Sequence, residues 1–339
     1  MNSGSLDGVA VSFILNGGEV EVGDHPHLLS ALREELDVTS PKDGCSPSGQ
    51  CGCCTVLIDG KPMIACSLGL ERVAGRVVTT LEGIDPAERD RLAGAFSATG
   101  ALQCGFCTPG IVVRAKYLLD KEGPALTRDK AARHLGGHLC RCTGYHSILD
   151  AVELLASGAE TPVSLPAGNG NANGHDRGGR PGGVGSDSAK YQATEMALGD
   201  KPYIDDLRVP GMLHAAVVLS EHARADILAI DTTAAAATPG VARVFTAADV
   251  PGDLRIGLIH RDWPVFIPVG GRTAYTGDVL ALVVAGDRAT ARAAAERVGV
   301  EYRPLPPFTD PLRAVGSTEP AVWQVGNADA PNVLSRTTY

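Results

Sequence analysis

All nine cysteines of this 339-residue chain lie between positions 45 and 142, and the 197 residues that follow contain none. Five of them fall in one stretch, GCSPSGQCGCCTVLIDGKPMIAC, which runs from Gly44 to Cys66. The other four sit in two short runs, QCGFCTPG and HLCRCTGY. Neither a disulfide framework nor a scatter of core thiols is expected to cluster so sharply. The N-terminal MNSGSLDGVAVSF lacks the basic start and apolar stretch of a secretory signal, and no apolar run reaches the ~18 residues that span a membrane. The chain therefore reads as soluble and cytoplasmic, where structural disulfides are rare. Metal binding is the reading that accounts for the clustering.

The spacing narrows the chemistry. Cys45-x5-Cys51-x2-Cys54, followed by Cys66 after eleven residues, is close to the plant-type [2Fe–2S] pattern C-x4-C-x2-C…C, with one extra residue in the first gap. A loop around an anionic cluster must turn tightly and aim backbone N–H groups at the sulfurs. Gly44, Gly49 and Gly52 allow such turns. On this count Cys53 is spare, and a small buried thiol is its expected state. Cys104, Cys107, Cys140 and Cys142 form the second set. Zinc competes with iron–sulfur at both sets on spacing alone, since Cys-x2-Cys pairs also make zinc knuckles. His134, His138 and His146 flank the second set and read as packing or helix-surface residues rather than ligands.

Local patterning divides the chain. Up to residue 84, Asn16-Gly17-Gly18 and Asp59-Gly60 mark two hairpins, and Leu28, Leu29, Leu32 and Leu36 give His27–Leu36 one apolar helical face. A helix on a small mixed sheet has the β-grasp shape. Residues 85–158 read as four helices, about Pro86–Thr99, Pro109–Asp120, Thr127–Leu135 and His146–Ser157, with Thr108 as N-cap of the second. In an up-down-up-down bundle the two loops that carry QCGFC and HLCRC fall at one end. The topology thus brings Cys107 and Cys140 together across 32 intervening residues. Residues 159–190, rich in Gly, Asn, Asp and Ser and containing His175, read as a flexible linker. From 191 to 316 the pattern is α+β, with Asp287 placed to cap an Ala-rich helix; 317–339 form a tail. A net charge of -9 and an aromatic content of 4% oppose nucleic-acid binding. Neither a G-x-G-x-x-G after a strand nor a phosphate-binding G-x-x-x-x-G-K-[ST] motif occurs.

Taken together, CGCCTV, LQCGFCTPG and HLCRCTGY resemble the iron–sulfur portion of the xanthine dehydrogenase/aldehyde oxidase family of molybdenum hydroxylases, over about residues 9–157. YIDDLRVPGMLHAAVVLSEHARADILAID, TPGVARVF, YTGDVLALVVAG and VEYRPLP resemble the α/β hammerhead domain that opens the same family's large subunit. The resemblance implies a plant-type ferredoxin domain over 1–84, a four-helix [2Fe–2S] domain over 85–158 and a hammerhead domain over 191–316. It implies one cluster on Cys45, Cys51, Cys54 and Cys66, with Cys53, where relatives carry alanine, as a bystander. A second would sit on Cys104, Cys107, Cys140 and Cys142, with Gln103 and Cys142 approaching a molybdopterin. Electrons would pass from the molybdenum centre through both clusters to FAD or another acceptor. Molybdopterin and FAD would be held by partner chains or by domains outside this sequence, and the catalytic residues would lie there too. A non-redox zinc or iron–sulfur scaffold is the competing reading.

Overall fold

The computed structural model describes residues 10–159, 190–258, 261–317 and 332–333. Most of the expected linker, His175 included, and most of the expected tail lie outside these residues. The chain divides into two compact units, Met1–Leu207 and Arg208–Tyr339. Among the described residues, no helix is long and apolar enough to cross a membrane.

The first unit opens with β1 (Val11–Leu15) and β2 (Gly18–Val22), an antiparallel hairpin. Its two-residue turn needs left-handed backbone at both positions, and Asn16 and Gly17 supply φ of 52° and 89°. β3 (Thr55–Ile58) and β4 (Lys61–Ile64) repeat the device with Asp59 and Gly60 at 47° and 73°. β5 (Val77–Thr79) completes a mixed five-stranded sheet in the order β2-β1-β5-β3-β4.

The helical face read at His27–Leu36 forms, but in two geometries. His27 Nδ1 accepts from Ser30 N at 3.1 Å and caps a short α1 (Leu28–Ser30). Ala31–Glu35 then widens into a π-turn, with Leu36 N–H bonded to Ala31 O at 3.1 Å. Leu28, Leu29 and Leu32 are buried with Phe13, Val56, Ile58 and Val78 in one core.

Four helices follow: α2 (Pro86–Ala98), α3 (Thr108–Glu122), α4 (Arg128–Leu135) and α5 (His146–Ala156). Asp85 caps α2 through Ala87 N and Glu88 N, and Thr127 caps α4. The expected cap at Thr108 moves by one residue. Cys107 is the N-cap, and Thr108 is the buried first residue of α3. Leu57 of β3 packs with these helices while Val56 and Ile58 face the other core. β3 is therefore covered on both faces, which is why TVLI carries no exposed side chain.

The sheet layer and the helix layer meet backbone to backbone. A Cβ added at Gly110 would lie 2.3 Å from Gly52 O and 2.9 Å from Cys53 O, and one added at Gly52 would lie 2.6 Å from His138 Nδ1. Glycine at both positions lets the chains close to this distance. A further helix, α6 (Ala193–Leu198), also packs in this core. The second unit thus starts at Arg208, 17 residues beyond the 191 start expected for the next domain.

The second unit contains β6 (His214–Leu219), β7 (Ala225–Asp231), a short α7 (Thr233–Ala236) and β8 (Val241–Thr246). The two-residue strands β9 (Arg255–Ile256) and β10 (Trp263–Pro264) pair with each other. β11 (Val279–Ala285), α8 (Arg288–Ala295), β12 (Gly299–Pro304) and α9 (Pro311–Val315) follow. β11 is the centre of a three-stranded sheet, β6-β11-β8, and β12 pairs with β7. Asp287 caps α8 as expected, accepting from Thr290 N at 2.7 Å.

Substituting Gly110→Ala should lower the unfolding free energy by about 3 kcal/mol, because backbone lies in the way of the new methyl. Gly137→Ala, where a Cβ meets nothing within 4 Å, should stay within about 0.5 kcal/mol of wild type. Urea titrations of the two variants, read by circular dichroism, make the comparison.

Candidate metal centre

The first set of thiols lies on the loop entering β3 and, for Cys66, on a 3-10 turn (Ala65–Ser67) after β4. Cys51, Cys54 and Cys66 are buried, and Cys45 is partly exposed. Gly49 and Gly52 take φ of 71° and 75°. Gly44 serves differently: a Cβ there would come within 3.0 Å of the sulfurs of both Cys51 and Cys53. The long first gap is taken up by a left-handed turn at Ser46, φ 43°, whose N–H donates to Asp43 Oδ1 at 2.9 Å.

Backbone donors converge on these sulfurs. Cys66 N–H donates to Cys54 Sγ at 3.4 Å, and the Gly49 N–H partly offsets the effect of burial on the Cys66 thiol. At Cys45 burial raises the pKa, but the Ser48 hydroxyl and the N–H groups of Cys51 and Gln50 together outweigh it and bring the thiol down to about 6. The buried thiols behave oppositely: burial, the largest influence, pushes Cys54 and Cys66 up. Negative charge on this set is thus supported by the loop's N–H groups more than by solvent.

The second set lies where the α2–α3 and α4–α5 connections meet. Cys142 Sγ is 3.8 Å from Cys104 Sγ, and Cys107 and Cys140 interact directly. The meeting of the two cysteine-bearing connections expected from loop positions is therefore present. A cavity of ≈ 220 Å³ opens among these four thiols and reaches Cys51 and Cys53. Burial, then the neighbouring thiols Cys140 and Cys104, raises Cys107. Cys140 is opposed by burial but is lowered by Thr143, whose Oγ1 is 3.1 Å from the sulfur. Gln103 Nε2 donates to Cys142 O at 2.8 Å, so the two residues expected beside a pterin are joined to each other.

A tetrahedral ion would need all four sulfurs of a set mutually about 3.8 Å apart, given zinc–sulfur bonds of about 2.3 Å. Among the described residues, no three Cys, His, Asp or Glu side chains converge as a single ion requires. In the second set the thiols meet as two neighbouring pairs, Cys104 with Cys142 and Cys107 with Cys140. Two pairs around a cavity, with N–H donors aimed at sulfur, fit a two-iron cluster in which each iron takes two thiolates.

Cys53 lies between the sets. It is 4% exposed, its Sγ is 3.9 Å from Cys51 O, and burial with the neighbouring Cys51 pushes its thiol far up. Cys107 of the second set also acts on it. The sets are tied by the Leu139 N–H, which donates to Cys51 O at 2.9 Å. His138, one residue before, is buried, and its Nδ1 has no hydrogen-bond partner among the described residues. His134 lies in the last turn of α4, where its carbonyl accepts from Arg114, and His146 opens α5.

Three positioning groups escaped the sequence reading. The Tyr145 hydroxyl donates to His138 O at 2.8 Å and accepts from Cys140 N at 2.9 Å. Thr143 contacts the Cys140 sulfur, and the Tyr203 hydroxyl donates to the Cys104 carbonyl. Thr143 and Tyr145 stand within HLCRCTGY; hydroxyls so close to paired cysteines were the available signal. Tyr203, 99 residues from Cys104, left none.

Two family models match the chain. One, described as "Aldehyde oxidase and xanthine dehydrogenase, a/b hammerhead domain", covers residues 198–306, and a "[2Fe-2S] binding domain" covers 80–153. Aldehyde oxidoreductase of Megalodesulfovibrio gigas is 37% identical over 303 residues, 83% of this chain and 32% of the relative. The nicotinate dehydrogenase small FeS subunit of Eubacterium barkeri is 39% identical over 150 residues, 43% of this chain and 94% of the relative. The crystal structure of aldehyde oxidoreductase from Desulfovibrio desulfuricans superposes with a TM-score of 0.77 at 33% identity, over 96% of this chain and 36% of that one. The chain thus spans about a third of the length of the aldehyde oxidoreductases and nearly all of the small FeS subunit.

His138 makes the junction between the two sets sensitive to acid. Burial, helped by Arg114, lowers its pKa to about 4, against about 6.5 in an unfolded chain. The folded state therefore binds fewer protons. Its stability is complete above pH 6.5 and falls as pH drops from there towards 4, by about 2 kcal/mol at pH 5. In thermal or urea unfolding at pH 7 and 5, His138→Gln should show a pH dependence smaller by that amount.

Proposed function

The chain belongs to the aldehyde oxidase/xanthine dehydrogenase family of oxidoreductases, and on that premise we propose that it is the electron-transfer portion of a molybdenum-dependent hydroxylase. The observation that carries the reading is the pair of four-thiol sets, adjacent and tied by one backbone hydrogen bond between Cys51 and Leu139. We assign one cluster to Cys45, Cys51, Cys54 and Cys66 and the other to Cys104, Cys107, Cys140 and Cys142. When bound, the two [2Fe–2S] clusters carry electrons one at a time from a molybdenum–pterin centre towards FAD or another acceptor.

The protein's own residues prepare both sites. N–H donors from Gly49, Gln50, Cys51 and Cys66 offset negative charge on the first set. Such donors raise the potential of a cluster, and burial opposes its more highly charged reduced state. Gln103 and Cys104 are exposed, which suits the second set to face a pterin; Gln103 holds the Cys142 carbonyl and so orients that edge. Cys53 stays a protonated, buried thiol and binds no iron.

The mixed sheet of the first unit supports a plant-type ferredoxin β-grasp over residues 1–84, and α2–α5 support a four-helix bundle over 85–158. The second unit corresponds to the hammerhead, which would dock the catalytic domain. That domain, with its molybdopterin and catalytic groups, and an FAD-binding subunit would be supplied by partner chains or by further sequence. The substrate is decided there.

Iron and sulfide analysis with electron paramagnetic resonance tests the assignment. The native chain should hold four iron atoms and give two distinct signals on reduction. Cys53→Ala should keep both signals, and Cys54→Ala should lose one signal and half the iron. Bound zinc in a colourless protein would sink the reading, as would loss of a cluster in Cys53→Ala.

A further inference from the structure

The segment 193–207 comes after the Gly- and Asn-rich stretch, yet it packs into the first unit. α6 lies against α2 and α3, and its Met196, Ala197 and Leu198 are 6%, 0% and 4% exposed. Gly199 turns the chain at φ 81°, so close to the first unit that a Cβ would sit 2.8 Å from the Ser40 Cα. Beyond the turn, Asp206 is driven into the protein. Its carboxylate takes Lys42 Nζ at 2.7 Å and Arg33 Nη2 at 2.7 Å, and it also accepts from Tyr203 N at 2.9 Å.

The receiving surface is built rather than incidental. The side chains of Lys42, Arg33 and Asp206 are 1%, 5% and 3% exposed. Arg33 is pre-aimed by the Thr39 and Pro41 carbonyls, at 3.2 and 2.9 Å. Lys42 also reaches Gly199 O at 3.4 Å and lies over the Tyr203 ring. Asp205 adds a second carboxylate to Arg33 at 2.9 Å, and Asp200 takes Arg89 of α2 at 3.0 Å. Two adjacent buried cations repel each other and are costly to desolvate without anions. Glu82 also acts on Lys42, but the Asp205-Asp206 pair is the acidic occupant that bonds both cations.

We propose that residues 193–207 are an anchoring strap whose receptor is the Arg33–Lys42 basic pocket together with the α2–α3 seam. The docked strap, not the covalent stretch 160–189, holds the iron–sulfur portion to the rest of the protein. The connecting stretch is then dispensable for association once the chain has folded. The same pocket would accept the strap supplied in trans.

The test is a protease site inserted after Asn173 in the full-length chain, cut under native conditions. The two fragments are followed by size-exclusion chromatography and by mass photometry on dilution. They should stay together at micromolar concentration. In the double variant Asp205→Asn/Asp206→Asn, checked before cutting for native circular dichroism, the apparent dissociation constant should rise about 100-fold. Where that variant does not fold, Asp205→Asn, at a half-exposed position, should raise the constant about 5-fold. Separation of the wild-type fragments on cutting overturns the proposal, as does an unchanged dissociation constant in the charge variants. The readout is mass, so a failed cluster assignment would not move it.

Discussion

The approach of Gly110 to the Gly52–Cys53 backbone controls how near the two cysteine sets can come. At this point the cysteine loop is pressed between the sheet that carries it and the start of α3, with room for hydrogen atoms only. The Leu139–Cys51 hydrogen bond fixes the other side of the same loop. Any side chain at these glycines would push the layers apart and lengthen the gap between the sets. On the proposed electron-transfer reading, where the rate falls steeply with distance, the absence of two methyl groups matters alongside the thiols.

Within that frame the loops treat their sulfurs unequally. Cys45 and Cys140 meet several donors and have their thiols lowered, while Cys53, Cys54 and Cys107 are raised by burial. What separates Cys53 from Cys54 is therefore placement. Cys54 faces the first set and accepts the Cys66 N–H, whereas Cys53 points between the sets, towards Cys51 O and the second loop. Hydroxyls complete the second site: Thr143 and Tyr145 hold the Cys140 loop from within, and Tyr203 holds Cys104 from a distant segment.

Much of this architecture was legible from residue order. Asn16-Gly17 and Asp59-Gly60 announce hairpins because few other residues tolerate their backbone angles. Asp287 was readable as the cap of α8 because its bond to Thr290 needs only a nearby partner. The meeting of the two cysteine loops followed from helix count alone. Other features depended on neighbours far away in sequence. The π-turn at Ala31–Glu35 sits where Arg33 must reach Asp205 and Asp206, more than 170 residues on. Lys42 and Arg33 look like ordinary surface charges until that segment covers them. Tyr203 shows no sign of its role before the strap is seen in place.

The sequence alone determined the grouping: five cysteines in one stretch, four in two short runs, and the turns that their loops could make. These follow from spacing and from the limits on φ, which are local. Tertiary structure alone decided the distance between the sets, the burial that raises the Cys53 thiol, and the reach of the first unit to Leu207. Those depend on which surfaces exclude water and which charges pair across long separations. A pattern of residues leaves such pairings open until the chain closes on itself.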